Sequence, residues 1–529
     1  MFIAVVAFFN DHVWVLNSFV GSHLPVFVFG TVIVTALATN PILGAIRRSW
    51  QLKPAELATI ALILLVACSI PSFGFLGTFT KAMTMPAQRY QNQESWKNNE
   101  LREALPSYVL PAEGEVVPGF TDTAIRGGGT HEQAMAFNEV PWRYWVEPLT
   151  TWLPILLLFT TAVICTSLIV HRQWSKNERL RYPIAEVANE FIHPANRKAT
   201  IRTGAFITGF LIIFLIRVNN GIFEWAPRMS PNGVWLRLPL EVNLLPILLK
   251  WRILETADTW SWFTFWPVLY PTIIGIAFLL ATDVSLTVGL APWLYLAFAF
   301  TALKGFGYHM ASDGTDYMLG APAIWQRFGS YLAMLMIIFY VGRTYYWTIL
   351  QRAFGFKGSQ ISDTYAVWAC RILILAVAAL CGIFILMGLP WPIAIMTVFL
   401  VLLVFIGMSR INCESGLFLN MPRWQPLGVL LGIMGASALG PQAIMLVGLI
   451  SVLFTAAPME TLMPFFLNGL QICSKQDIKP SRAGTTSIMT YVLVLAVATP
   501  VVLWATHNYG LKKGADRWST KALPEYYYD

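Results

Sequence analysis

The sequence predicts an all-α, polytopic integral membrane protein with about twelve (twelve to fourteen) transmembrane helices. Three observations carry this reading. Of 529 residues, 56% are hydrophobic and 12% charged, against roughly 25% charged in soluble domains. Apolar runs of roughly 20 residues recur, the length a helix needs to cross the hydrocarbon core. The cations gather at the ends of those runs. A β-barrel would instead alternate apolar and polar residues in short segments.

The net charge of +8 follows from that clustering. Topology accounts for it, and no nucleic-acid partner is implied. The six cysteines contain no Cys-x-x-Cys pair, so neither a disulfide framework nor a zinc site is expected. The bilayer is the first partner the composition demands.

Met1–Val20 is apolar but interrupted by Asn10-Asp11-His12. It is either a first span with a polar centre or a helix at the surface, and it lacks the basic region of a signal peptide. Leu24–Ile46 is the first clear span. Arg47, Arg48 and Lys53 follow it and place that end in the cytoplasm. Pro54–Phe75 returns, with Pro71 and Gly74 breaking its last turn. Residues 81–147 are acidic-leaning and punctuated by Pro and Gly, the composition of a periplasmic loop. Gly127-Gly128-Gly129 reads as its flexible tip. The loop separates N-terminal helices (1–80) from a main bundle (148–529).

Leu149–Val170 descends to the cation-rich stretch His171–Arg181. Pro183 then suits the first turn of a short helix. Ile184, Val187, Ala188 and Phe191 share one face at i, i+3, i+4, i+7; Glu186 and Glu190 share another. Those acids are either solvated on an interfacial helix or contacts for a solute in a cytoplasmic vestibule. Ile201–Val218 crosses next. Asn219–Phe265, rich in Trp and Pro, suits an interfacial belt or a re-entrant segment. Trp266–Thr282 and Leu286–Leu303 form a hairpin around Asp283, and Ala323–Val341 follows. Ala366–Leu389 and Trp391–Met408 form another hairpin at Pro390-Trp391-Pro392. Leu427–Leu439 and Gln442–Ala457 are short and Gly-rich. Glu460 reads as cytoplasmic, and Thr485–Thr506 is the last span.

Two polar breaks carry candidate chemistry. Arg410–Pro422 resembles the interrupted helices whose freed backbone and helix ends bind solutes or ions in transporters. Its candidates are Arg410, Asn412 and Glu414, with Arg410 and Glu414 placed to pair at i,i+4. An ordinary loop with a surface ion pair is the plainer account. Gly307–Tyr317 gathers His309, Asp313 and Asp316, suited to a proton or solute role. Asp313-Gly314 is equally a routine turn, and Asp316 a helix cap. No metal site or cofactor is assigned. The metalloprotease, phosphate-loop and nucleophile-elbow motifs are all missing, so no enzyme activity is expected.

Glu178-Arg179-Leu180-Arg181-Tyr182-Pro183, with Ala185-Glu186 and Ala188-Asn189-Glu190 after it, resembles a signature of a family of polytopic bacterial inner-membrane proteins known as a domain of unknown function. Pro54-Ala55-Glu56-Leu57, Ile70-Pro71-Ser72-Phe73-Gly74 and the stretch Val140–Pro148 agree with it. The Leu180-Arg181-Tyr182-Pro183 turn into a small-residue helix is also similar to the oligopeptide transporter superfamily. That resemblance implies proton coupling and peptide or metal-chelate substrates. The expectation is a secondary, ion-coupled transporter of a small polar or peptide-like solute. The alternative is a non-catalytic membrane subunit or scaffold, with the 81–147 loop as its docking surface. A homo-oligomer or a complex partner fits either.

Overall fold

The computed structural model describes residues 1–14, 18–92, 94, 104–111, 120–129, 133–229, 236–250, 265–298, 322–356, 364–455 and 460–510. They form two compact units, residues 1–185 with 313–529, and residues 186–312. Among the described residues there is no β-strand, only an isolated bridge between Glu241 and Val268.

Among the described residues, eight helical stretches are long and apolar enough to cross a membrane: Val26–Ile46, Trp142–Asn177, Gly204–Trp225, Ile324–Val341, Thr364–Leu386, Trp391–Ser415, Ala436–Thr455 and Pro480–Tyr509. Shorter apolar helices cover Phe2–Val13, Pro54–Ala67 and Leu462–Ser474. The chain is a multi-pass, all-helical membrane protein. In the first unit we number α1 (Phe2–Phe8), α2 (Pro54–Ala67), α3 (Phe75–Asn92), α4 (Val146–Arg172), α5 (Pro322–Val341), α6 (Arg343–Ala353), α7 (Thr364–Leu386), α8 (Trp391–Ser415), α9 (Ala436–Thr455), α10 (Leu462–Ser474) and α11 (Pro480–Tyr509).

The centre of this unit is built on two helices too short to span, α2 and α10, packed on each other. Every α10 residue from Leu462 to Cys473 is buried. Gly469 makes the close approach feasible. A Cβ there would lie 2.6 Å from Leu62 Cδ1, so only hydrogen lets the helices meet at this distance. α2 starts cleanly because Pro54 needs no N–H partner in the first turn and Glu56 Oε2 accepts the Lys53 N–H at 2.8 Å. It stops at Ala67, earlier than the pattern implies. The chain bends through residues 68–74 and resumes as α3, which runs past residue 81 with Lys81 and Thr84 buried.

Two further expectations are corrected. α8 does not end at Met408 but continues to Ser415, where Gly416 (φ 64°) stops it in the left-handed region. The polar residues Arg410, Asn412 and Glu414 are therefore helical. Gly127-Gly128-Gly129 is a packed strap, not a flexible tip. Gly128 N–H donates to His507 O at 2.7 Å and Gly129 N–H to Asn508 O at 3.0 Å. The strap lies so close to the end of α11 that a Cβ on Gly129 would sit 2.3 Å from Asn508 Oδ1.

Pro183–Ile192 is helical as expected, but its buried residues are Ile184, Ala185, Ala188 and Ile192, while Val187 and Phe191 of the expected apolar face are half-buried. In the second unit, the expected hairpin segments are two helices, Pro271–Leu279 and Thr282–Phe298, with Asp283 in the first turn of the second helix rather than between them.

Candidate functional site

The strongest site lies where three chain interruptions meet. α1 runs into a π-helical turn, Phe9–Val13, holding Asn10, Asp11 and His12, all buried. Single π turns insert one residue into a helix and recur at functional sites. Neither reading of Met1–Val20 holds as stated: Phe2–Val13 is too short to be a span, and its polar residues are buried rather than at a surface. Asp11 is held on both oxygens. Its Oδ1 accepts Asn10 Nδ2 at 2.7 Å and Phe19 N–H at 3.2 Å, and its Oδ2 accepts the Ser72 hydroxyl. His12 packs its ring between Phe8 and Phe73, 4.8 and 5.0 Å away, within the field of buried Lys81.

The second interruption is the bend between α2 and α3, which supplies Ser69, Ser72, Phe73 and Gly74. Pro71 cannot extend α2, and the freed turn places these polar groups inside. The third is the connection between α9 and α10, which carries Glu460. This carboxylate is 1% exposed. Gly21 N–H donates to its Oε1 at 3.1 Å, and the Phe73 and Gly74 amides are further donors near it. Its Oε2 makes no hydrogen bond of regular geometry among the described residues. No cation pairs with it there.

Glu460 lines a cavity of about 70 Å³ whose walls are mostly apolar, Phe73, Leu156 and Phe159 among them, with Ser69, Thr78, Thr160, Thr461 and Tyr491 adding hydroxyls. That is space for a few waters. Burial pushes the Glu460 pKa well above the usual carboxylate range. The Asp11 charge adds to the rise, and the Gly21, Gly74 and Phe73 amides partly oppose it. A buried carboxyl group beside a cavity large enough for water can exchange a proton there. Next to it, His23 pairs with Thr461 (3.3 Å) and donates its backbone N–H to Phe418 O (2.9 Å). The site thus touches the chain that follows α8.

The end of α8 forms a second polar cluster. Arg410 Nε donates to Glu414 at 3.0 Å, the i,i+4 pair expected from spacing. It also bridges to Glu178, and its guanidinium lies 5.3 Å from the Trp174 ring centroid. Trp174 sits in another π turn, Gln173–Asn177. Tyr182, buried and at φ +47°, donates its N–H to Cys413 O at 2.9 Å. A bulky residue in that region costs about 1–2 kcal/mol, which ring burial and this bond offset. The stretch after α4 and the end of α8 are therefore clasped together.

Asn412 is buried. Its Nδ2 donates to Leu417 O at 3.0 Å and its Oδ1 accepts Asn468 Nδ2 at 2.7 Å. This joins α8 to α10. Glu414 is 46% exposed and does not line the Glu460 cavity. Glu190 accepts the Thr200 hydroxyl at 2.5 Å and Asn196 Nδ2 at 3.4 Å, bracing the helix Pro194–Arg202. Glu186 is half-buried on the helix Pro183–Ile192. His309, Asp313 and Asp316 lie outside the described residues. Among the described residues, no three His, Cys, Asp or Glu side chains converge as metal ligands.

Reading by composition alone left Glu460 at a membrane surface. The available signal was its setting, Ala456-Ala457-Pro458-Met459 before it and Leu462-Met463-Pro464-Phe465 after. A lone ionisable residue between apolar flanks is a functional candidate by default.

Fold and site together define a multi-pass helical membrane protein with a buried, ionisable polar centre between broken helices. The chain belongs to a family of unknown function, DUF6785, which it matches over residues 1–529. No curated protein and no solved structure matches it.

Proposed function

We propose that this protein is a secondary transporter of a small polar or peptide-like solute in a bacterial inner membrane, that the proton is its coupling ion, and that Glu460 is the group that carries it. The observation that carries this reading is the Glu460 carboxyl group, 1% exposed, its Oε2 without a hydrogen-bond partner among the described residues and its side chain lining a small cavity that also holds five hydroxyl residues. An unpaired buried carboxyl is costly, and a merely structural subunit has no need of one. The breaks around α2, α3 and α10 supply the discontinuous backbone that transporters use to bind solutes and ions. Arg410, Asn412 and Glu414 act as a cytoplasmic clasp on the same bundle. This agrees with the similarity of Leu180-Arg181-Tyr182-Pro183 to the oligopeptide transporter superfamily, and the chain from the end of α3 to residue 147 is then periplasmic. The scaffold reading favours a lipid-tight, apolar interior, which this centre lacks.

The test is uptake into proteoliposomes, screening pooled peptides and small polar solutes under an imposed pH gradient. Unaltered protein accumulates a solute. Glu460→Gln, neutral and isosteric, retains solute exchange but loses gradient-driven accumulation. Accumulation by Glu460→Gln equal to the unaltered protein would remove Glu460 from the mechanism.

A further inference from the structure

Away from Glu460, helices α4, α5, α6, α7 and α8 enclose an apolar groove of about 750 Å³. Ligand sites commonly span about 300–1,000 Å³. Ile169, Leu335, Ile338, Val377, Phe399 and Leu402 are among its walls, and among the described residues Arg343 is the one cation that lines it. Four of the five helices belong to candidate membrane spans, so the medium at the groove is lipid, not water. The fifth, α6, is only 11 residues long and cannot span. It carries exposed Trp347, with Phe354 and Phe356 exposed just beyond it, the aromatic character of a membrane–water interface. The Tyr345 hydroxyl ties it to α4 by donating to Ile169 O at 3.2 Å.

Arg343 begins α6. Its Nη1 donates to Tyr340 O at 3.1 Å, and its guanidinium lies 4.5 Å from the Tyr340 ring centroid. That uses one of five N–H donors and fixes the group at the interfacial end of the groove.

We propose that the groove is a specific phospholipid site, in which one acyl chain fills the apolar space and Arg343 binds the anionic headgroup. An apolar space of this size left empty would forfeit the dispersion contacts of all its walls. Water gains nothing there, because an apolar cavity stays dry. A chain already in the bilayer enters without crossing water. Basic pockets between transmembrane helices bind anionic headgroups by the same charge pairing.

The test uses the full chain purified in mild detergent. Native mass spectrometry counts retained lipid, and rebinding after delipidation compares phosphatidylglycerol with phosphatidylcholine. The unaltered protein keeps one phospholipid and binds phosphatidylglycerol about five-fold more tightly, as expected for one basic residue near the surface. Val377→Phe and Leu402→Phe, on facing helices, fill the groove and lose the retained lipid. Arg343→Gln keeps a lipid but loses the headgroup preference. If neither filling variant folds, thermal stabilisation by phosphatidylglycerol decides: it exceeds that by phosphatidylcholine in the unaltered protein and equals it in Arg343→Gln. The proposal is overturned by retained lipid unchanged in the filled variants, by preference surviving Arg343→Gln, by free fatty acid alone in the groove, or by no retained lipid.

Discussion

Gly21 donates its backbone N–H to Oε1 of Glu460 at 3.1 Å, across 439 positions of sequence. The bond joins the stretch after the first helix to the connection before α10, at the polar centre of the bundle. Burial, with no cation paired to it among the described residues, favours the carboxyl group there in its protonated form, and this sets a pH dependence. The Glu460 pKa is raised in the folded state, whereas an unfolded Glu titrates near 4.3. Above that value the unfolded chain releases a proton that the native state holds, so stability falls as pH rises toward the folded pKa. The slope for one proton is at most about 1.4 kcal/mol per pH unit. Thermal unfolding in detergent at a series of pH values therefore falls more steeply for the unaltered protein than for Glu460→Gln. Equal slopes would place the carboxyl group in contact with bulk water.

The Arg410 clasp has unequal arms. Glu178 is 11% exposed and Glu414 46% exposed. Arg410→Ala strands the Glu178 charge in a nearly dry site and lowers stability by about 3 kcal/mol, as for other broken buried pairs. Glu414→Gln removes a half-exposed partner and costs less than about 1 kcal/mol. Denaturation of the two variants side by side checks the order, which reverses if Glu414 is the structural arm.

Gly469 and Leu62 form a lock between α10 and α2. Gly469→Ala forces its methyl into Leu62 and costs about 1–3 kcal/mol by overpacking. Leu62→Ala opens space at the same place, so the double variant regains stability relative to the sum of the single changes. Strict additivity would mean the helices separate freely.

The strap at residues 127–129 contributes to folding. Gly129→Val meets Asn508 Oδ1 and displaces the N–H bond to Asn508 O. A loss of about 1–3 kcal/mol follows, read as a lower unfolding temperature of purified protein. An unchanged unfolding temperature would show that the strap swings free.

Much of the helical architecture was legible because crossing a bilayer demands long apolar runs, and the cations at their ends mark the boundaries. The Arg410–Glu414 pair was legible because four residues is one helical turn. Glu178 was not, because its contact with Arg410 spans 232 positions and depends on how α4 and α8 pack. The same holds for Asp11 and Glu460. A polar residue in a short apolar helix reads alike at the surface or the centre, and only the burial of α2 and α10 decides between them. The π turns at Phe9–Val13 and Gln173–Asn177 shift the helical phase by one residue, a change that hydrophobic spacing does not register. Gly127-Gly128-Gly129 misled for a related reason: glycine serves a free tip and a tight backbone contact equally well.

The most direct test of the central claim is proton movement itself. Proteoliposomes loaded with a pH-sensitive dye receive pooled peptides and small polar solutes at equal pH on both sides. The unaltered protein acidifies the lumen as solute enters, and Glu460→Gln at equal protein density does not. Equal acidification by both proteins, or none by the unaltered protein with any pool, would contradict proton-coupled transport through Glu460.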